Sequence, residues 1–349
     1  PISLLETIYK LVSKFLIEKV SPGVYRTVYP DQYGFIPTRV MSNCSLTLIS
    51  IIKALQTRYN KGSFLLFADI ASAFDCAKPQ IVHTLLSRLY PDSPFPKLIA
   101  LLDRGGKGVI SVNGGLSEPI ELTQGTGQGD PGSTIKFSVL HHCWLSFIAH
   151  VVESSMGPIN QLKIQLNEVC EPNLSVREVS LSNRLPASLR PVAFADDSTF
   201  SFKIPDSEEA LHQFMELLED LANITGLKVN VNKSEILLFQ TNPSQAVIER
   251  VSKFGVIKSY VTHLGVVLSK NYEEGYYLTY QAGADTMKRA LQRVSSSASS
   301  TNLLVKAQGV NSLVTAVNNH RYRVYPPSNE SIEDQWGRIR KALWTTTYK

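Results

Sequence analysis

The chain has 349 residues, of which 43% are hydrophobic and 19% charged, with a formal net charge of +5. That composition suits an ordinary globular protein with a sizeable core, and the length suggests two or three structural units. Its four cysteines (Cys44, Cys76, Cys143, Cys170) form no CxxC pair, which argues against a disulfide framework or a zinc site and makes a reducing compartment the default.

No apolar run reaches the roughly 18 residues of a membrane span. Phe137–Val152, which carries His141, His142 and His150, reads as a buried helix. The charge is unevenly distributed. From Thr286 onward ten basic residues face three acidic ones, a pattern that suggests contact with a polyanion or simply a solvated helical surface. The chain begins at Pro1 and runs at once into an apolar helix pattern. It shows no signal-peptide pattern and reads as a fragment of a longer polypeptide.

In chain order, Leu4, Ile8, Leu11, Val12 and Phe15 fall at helical spacing. A loop punctuated by Pro and Gly follows over Ser21–Thr38, and then a helix over Ser42–Arg58. Phe64–Ile70 (FLLFADI) is a continuous apolar run ending at an aspartate, as in a buried central strand. Pro79 fits the first position of a helix reaching about Leu89. Val109–Asn113 and Ile120–Leu122 read as strands with a hairpin signal at Gly114-Gly115. The glycine-rich Gln124–Gly132 leads into a helix with Ser133 as its N-cap.

Residues 153–190 read as a polar insertion with some strand character. The segment RPVAFADDSTFSF (190–202) reads as an apolar hairpin with Asp196 and Asp197 at its tip. An amphipathic helix from Pro205 stops at Gly226. Strands are expected at Lys228–Val231, Glu235–Phe239 and within Thr262–Leu268, and a basic helical segment completes the chain. The mixture of helices with antiparallel hairpins predicts an α+β fold.

The carboxylates carry the chemistry. Asp69 ends an apolar strand, and Asp196 and Asp197 tip an apolar hairpin. Unpaired carboxylates are costly in such places, and three converging ones repel unless cations lie between them. Hard divalent ions shared with substrate phosphates resolve that conflict, and two of them would perform phosphoryl transfer. Neighbouring strand residues face opposite ways, so both aspartates of the pair serve one site only if the pair sits in a turn.

The order of the segments resembles that of the reverse transcriptases of non-LTR (LINE-type) retrotransposons. It is carried by Pro1–Leu4 with Tyr9-Lys10, Gln32–Arg39 (QYGFIPTR), Asp69–Asp75 (DIASAFD), Gln128–Ser133 (QGDPGS), Ala195–Asp197, Gly226–Glu235 (GLKVNVNKSE) and His263-Leu264-Gly265. Each motif is weak alone, and seven in the family order are not. Two departures stand out: Lys136 occupies a position that is usually Leu, and the arginine that commonly precedes the first motif is absent from this chain.

The resemblance implies an α+β right-hand polymerase of fingers, palm and thumb, with an antiparallel palm sheet and N-terminally truncated fingers. Residues 1–62 would be partial fingers. Residues 63–270 would form the palm, with finger elements at about 90–135 and the insertion at about 153–190, and 271–349 a basic helical thumb. The implied activity is RNA-directed DNA polymerisation, extending a DNA 3′-hydroxyl with dNTPs on an RNA template.

By the same resemblance Asp69, Asp196 and Asp197 are catalytic and hold two Mg²⁺ ions, with Mn²⁺ as a substitute. Lys233 protonates the leaving pyrophosphate. Phe74 gates the sugar of the incoming nucleotide. Gln128, Gly129 and Arg39 contact nucleotide or template, and His263, Leu264 and Gly265 grip the primer. The partners implied are an RNA template, a DNA primer or RNA–DNA hybrid, and dNTPs, with no membrane. The setting is an intracellular ribonucleoprotein, nuclear or cytoplasmic. An RNA-dependent RNA polymerase and a non-catalytic RNA-binding domain descended from a polymerase remain open as alternatives.

Overall fold

In the computed structural model, residues 6–58, 61–113, 115–127, 129–153, 191–204, 208–297, 310 and 316–344 are described. The chain divides into two compact units, residues 1–39 with 59–257, and residues 40–58 with 258–349. The helix Met41–Arg58, which the sequence reading grouped with residues 1–62, falls in the second unit. The expected insertion lies almost wholly outside the described residues.

The first unit is organised by a five-stranded sheet in which Val192–Phe194, Asp197–Lys203, Lys61–Ala68, Glu235–Gln240 and Val256–Lys258 lie side by side in that order. Its strands are β1 (Lys61–Ala68), β6 (Val192–Phe194), β7 (Asp197–Lys203), β8 (Glu235–Gln240) and β9 (Val256–Lys258). β1 is central and antiparallel to both neighbours, in a register that pairs Phe64 with Phe202 and with Leu238. Its run Phe64-Leu65-Leu66 is fully buried, which explains why it shows no polar alternation. One face is aromatic: Phe202 lies against Phe64 and Phe254, and Trp144 packs edge-on to Phe200. The α+β class with an antiparallel sheet is as expected from the sequence.

Helix α1 (Thr7–Thr27) continues through Pro22, where a loop was expected from Ser21. A proline inside a helix forfeits a backbone hydrogen bond. Val20 and Val24 on either side of it are fully buried, so packing outweighs the local penalty. The strands flanking the expected hairpin are nested: β3 (Ser111–Val112) pairs with β4 (Gly115–Leu116), and β2 (Lys107–Gly108) with β5 (Ile120–Glu121). The strand expected at Lys228–Val231 is a single bridge between Val229 and Ile70.

Helices Pro79–Leu89, Phe95–Asp103 and Ser133–Glu153 meet α1 around a buried charge cluster. Lys136 is 3% exposed and lies 2.6 Å from Asp103 and 2.9 Å from Asp130. Asp103 also accepts from His83 Nε2 at 2.9 Å and Tyr9 at 3.4 Å, and Asp130 accepts from the Ser13 hydroxyl and from Gly132 N–H at 3.0 Å. Burial pushes the Asp103 carboxyl up, but His83 and Lys136 outweigh it and hold the group below its ordinary range. Ser133 does not cap its helix; its hydroxyl turns back to the carbonyls of Thr126 and Gly127.

In the second unit the hairpin of β10 (Tyr260–His263) and β11 (Val266–Ser269) packs with helices Met41–Arg58, Tyr272–Ser297 and Ala316–Val324. Thr279 Oγ1 accepts from Val267 N–H at 2.9 Å, and the buried Tyr325 donates to the Val267 carbonyl at 3.1 Å. Met287, Ala290, Leu291, Val310 and Ile339 form one hydrophobic cluster within it.

The buried lysine yields a stability test. Removing one partner of a buried ion cluster strands the others, at a cost of about 3–5 kcal/mol. Lys136→Leu is expected to lower the free energy of unfolding in denaturant by that order. Adding Asp103→Asn and Asp130→Asn in the same chain is expected to restore most of it. A Lys136→Leu protein as stable as the parent would contradict the role assigned to the cluster.

Candidate active site

The site grows from the end of β1. Asp69 is the first residue past the strand and is half-buried. Its backbone is held by the Gly226–Glu235 segment: Asp69 N–H donates to Ser234 Oγ at 3.1 Å, and its carbonyl accepts from Asn230 N–H at 2.7 Å. Gly226 is forced by space, since a Cβ there would lie 1.8 Å from the Cys76 carbonyl oxygen. Lys233 sits in the same segment, exposed, with no ion pair among the described residues.

β6 and β7 form a tight hairpin in which Phe194 pairs with Asp197, leaving Ala195 and Asp196 as its two-residue loop. Ala195 takes φ +57°, an uncommon value for a residue with a side chain. Of the pair expected in a turn, Asp196 lies in it and Asp197 opens β7, and both reach solvent. Ala68 is registered with Ser198 across β1 and β7, which brings Asp69 to the same end of the sheet. The carboxylates sense one another: although Asp197 reaches solvent, crowding by the surrounding hairpin partly desolvates it, and that desolvation, then Asp196, then Asp69 pushes it up to about 6. Among the described residues no three His, Cys, Asp or Glu side chains close into a metal-binding group. The donor set nevertheless fits a hard divalent cation, because it is all carboxylate and carries uncompensated negative charge.

The Asp69–Asp75 turn joins the glycine loop. Phe74 and Ala77 carbonyls accept from Thr126 and Gly125 N–H, both at 2.8 Å. Gly125 has φ +91° and stands against the Asp75 backbone, where a Cβ would meet the Asp75 oxygen at 3.0 Å. The Phe74 ring stacks on Phe137 at 4.5 Å and meets Phe35 edge-on at 5.9 Å. Gly129, at φ +107°, is exposed in the loop. Gln128 lies outside the described residues.

Arg39 is turned inward. One guanidinium nitrogen donates to the Tyr29 and Gln32 carbonyls at 2.7 and 2.6 Å, and burial lowers its pKa. It thus braces the segment after α1. His263, Leu264 and Gly265 belong to the second unit. Leu264 and Gly265 form a two-residue turn with φ of +51° and +78°, and Arg321 Nε donates to the Gly265 carbonyl at 2.9 Å. His263 is buried.

Two residues absent from the expected set are central. Gln32 and His141, both fully buried, join the QYGF segment and the helix Ser133–Glu153 to the aspartate hairpin. The signal for Gln32 was its motif; nothing in the sequence marks His141. Burial, helped by His142, pushes the His141 imidazole down to about 3. The unfolded chain therefore takes up a proton near pH 6.5 that the folded chain refuses until about pH 3. This contribution to stability is whole above pH 6.5 and declines as the pH falls, by up to about 1.4 kcal/mol per pH unit. Urea unfolding from pH 7 to pH 4 is expected to show that decline, and His141→Gln to flatten it. An unchanged slope in the variant would assign the acid sensitivity elsewhere.

Residues 1–307 match the family described as reverse transcriptase (RNA-dependent DNA polymerase). A curated relative, the retrovirus-related Pol polyprotein from the type-2 retrotransposable element R2DM of Drosophila melanogaster, is 20% identical over 245 residues. That alignment covers 70% of this chain and 20% of the relative, so the chain spans about a fifth of its length. Among solved structures, telomerase from Candida albicans in complex with a TWJ fragment of telomeric RNA is similar with a TM-score of 0.47 at 9% identity, over 97% of this chain and 55% of that one. The corresponding Candida tropicalis complex gives 0.45 at 9% identity, over 95% and 55%. The family match agrees with the resemblance read from the motifs and carries the right-hand polymerase fold. The chain belongs to the reverse transcriptase family.

Proposed function

We propose that this chain is the RNA-directed DNA polymerase core of a non-LTR retrotransposon. It extends a DNA 3′-hydroxyl with dNTPs along an RNA template, within an intracellular ribonucleoprotein. The observation that supports this most is the electrostatic convergence of Asp69, Asp196 and Asp197 at one end of the central strands. In this reading residues 1–62 are fingers, 63–270 palm and 271–349 thumb. The exposed Lys288, Arg289, Arg323 and Arg340 then offer cations to primer–template phosphates.

Asp69, Asp196 and Asp197 would hold two Mg²⁺ ions, or Mn²⁺ in their place. Such ions, when bound, polarise the phosphoryl group and lower the pKa of the attacking hydroxyl. The chain's own residues do the rest. The glycine loop lets backbone approach the nucleotide closely. Lys233, exposed in the segment that holds Asp69, donates a proton to the leaving pyrophosphate oxygen. The Phe74 ring, braced by Phe137 and Phe35, fills the space that a ribose 2′-hydroxyl would need, so the preferred substrate is a deoxynucleotide. His263, Leu264 and Gly265 hold the primer end, and Gln128 and Gly129 the nucleotide. Arg39 supports them by bracing the Gln32 segment.

Primer extension on an RNA template with Mg²⁺ tests the reading. Extension with dNTPs is expected, and Asp196→Asn is expected to reduce it by about 10³-fold or more, since each metal-held charge is worth several kcal/mol. RNA binding without incorporation would favour the non-catalytic alternative, and a preference for rNTPs would favour an RNA polymerase. In the same assay Phe74→Val is expected to raise rNTP use relative to dNTP use by roughly 10- to 100-fold, the range that steric exclusion by a pocket wall supplies. An unchanged ratio would remove Phe74 as the sugar gate.

A further inference from the structure

We propose that Gln32 and His141 are positioning residues whose hydrogen bonds set the conformation of the Ala195–Asp196 loop, and through it the presentation of the aspartate pair. The functional consequence rests on the polymerase reading; the network itself does not.

Gln32 uses every hydrogen-bonding position of its amide. Oε1 accepts from Gly34 N–H at 2.8 Å and from Ala195 N–H at 3.1 Å. Nε2 donates to the Ala195 carbonyl at 3.0 Å and contacts His141 Nδ1 at 2.7 Å. Two acceptor sites and two hydrogens are thereby matched, which a primary amide alone can do here. Both peptide groups of Ala195 are gripped by one side chain, at the residue with the unusual φ. Gly34 allows the approach, because a Cβ there would lie 2.1 Å from the Ala195 nitrogen. The adjoining backbone locks the register: Tyr33 N–H donates to the Ala193 carbonyl at 2.7 Å, and Ala193 N–H to the Asp31 carbonyl at 2.9 Å.

The direction of the hydrogens follows from this inventory. Since Gln32 Nε2 is only a donor, His141 Nδ1 must be the acceptor, so the ring carries its proton on Nε2. Nε2–H then donates to Ser198 Oγ at 2.9 Å, and Ser198 Oγ in turn points at the Asp196 carbonyl, 3.4 Å away. The chain of donors runs from the QYGF segment through the helix to the far side of the same loop. The imidazole is also fixed in plane, stacked between Phe137 at 5.2 Å and Trp144 at 5.6 Å. Phe137 is the ring on which Phe74 stacks. One aromatic column therefore links the sugar gate to the residue that steadies the aspartate loop.

The test combines histidine-selective ¹³C,¹⁵N labelling with kinetics. The His141 ring signals, assigned by their loss in His141→Gln, are expected to show a bare Nδ1 and a protonated Nε2. The Ala195 amide is expected to exchange slowly with solvent. Gln32→Glu is nearly isosteric but has no hydrogens to give. It is expected to put a proton on Nδ1, to speed exchange at Ala195, and to lower kcat by roughly 10- to 100-fold with the dNTP KM within about twofold, as for a misplaced catalytic group. His141→Gln keeps a donor toward Ser198 and is expected to retain more activity than His141→Leu. A protonated Nδ1 in the parent protein, or parental kcat in folded Gln32→Glu and His141→Leu, would overturn the proposal. If the parent extends no primer, the polymerase reading fails, and ring protonation with Ala195 exchange still decides whether the network holds the loop.

Discussion

Like charge held at close quarters is the constraint on which the first unit depends. Asp196 closes the Ala195–Asp196 loop, Asp197 opens β7 directly after it, and Asp69 follows the strand beside them. Desolvation first, and then their repulsion, raises the proton affinity of Asp197. Nothing in those three side chains favours such proximity, so the surrounding backbone must impose it. It does so from several directions: the Gly226–Glu235 segment grips Asp69 through Ser234 and Asn230, while Gln32 grips Ala195. Holding like charges together in this way costs folding energy, and under the proposed polymerase reading it would leave the groups needing no rearrangement during reaction.

The supporting shell is more polar than a protein core usually is. Gln32, His141, Ser198, Asp130 and Lys136 are all buried, yet each has partners at hydrogen-bonding distance. Satisfied networks of this kind specify one arrangement, since any slip leaves polar groups stranded in low dielectric. The Lys136 cluster serves the glycine loop as the Gln32 network serves the aspartate loop. Asp130, held by Lys136, in turn accepts from Gly132 N–H, so the loop's exit into its helix is anchored to α1 and to Asp103.

Much of this was legible in the sequence. The FLLFAD run announced a central strand because both of its faces are buried, and the adjacency of Asp196 and Asp197 required a turn. Gly226 marked the stop of the amphipathic helix, which ends at Thr225, with Gly226 at φ +83°. Other features were not legible. Lys136 stood out only as a departure from Leu, because its carboxylates come from a helix end 33 positions away and a loop 6 positions away. Helix α1 ran past Pro22 because Val20 and Val24 found a core, which no local rule foresees. Arg39 had several plausible partners, and the nearby carbonyls after α1 took it.

Residue type and spacing laid out the chemistry at hand: three carboxylates, a glycine loop, an aromatic ring five positions after Asp69, and an order of segments shared with reverse transcriptases. Those follow from residue type, spacing and local backbone preference, all written in the chain. How the carboxylates are aimed depends on the closed fold. Gln32 lies 163 positions from Ala195 and 109 from His141. Hydrogen bonds between residues so far apart exist only once the sheet and its helices have closed around them, because their geometry is set by packing and not by propensity.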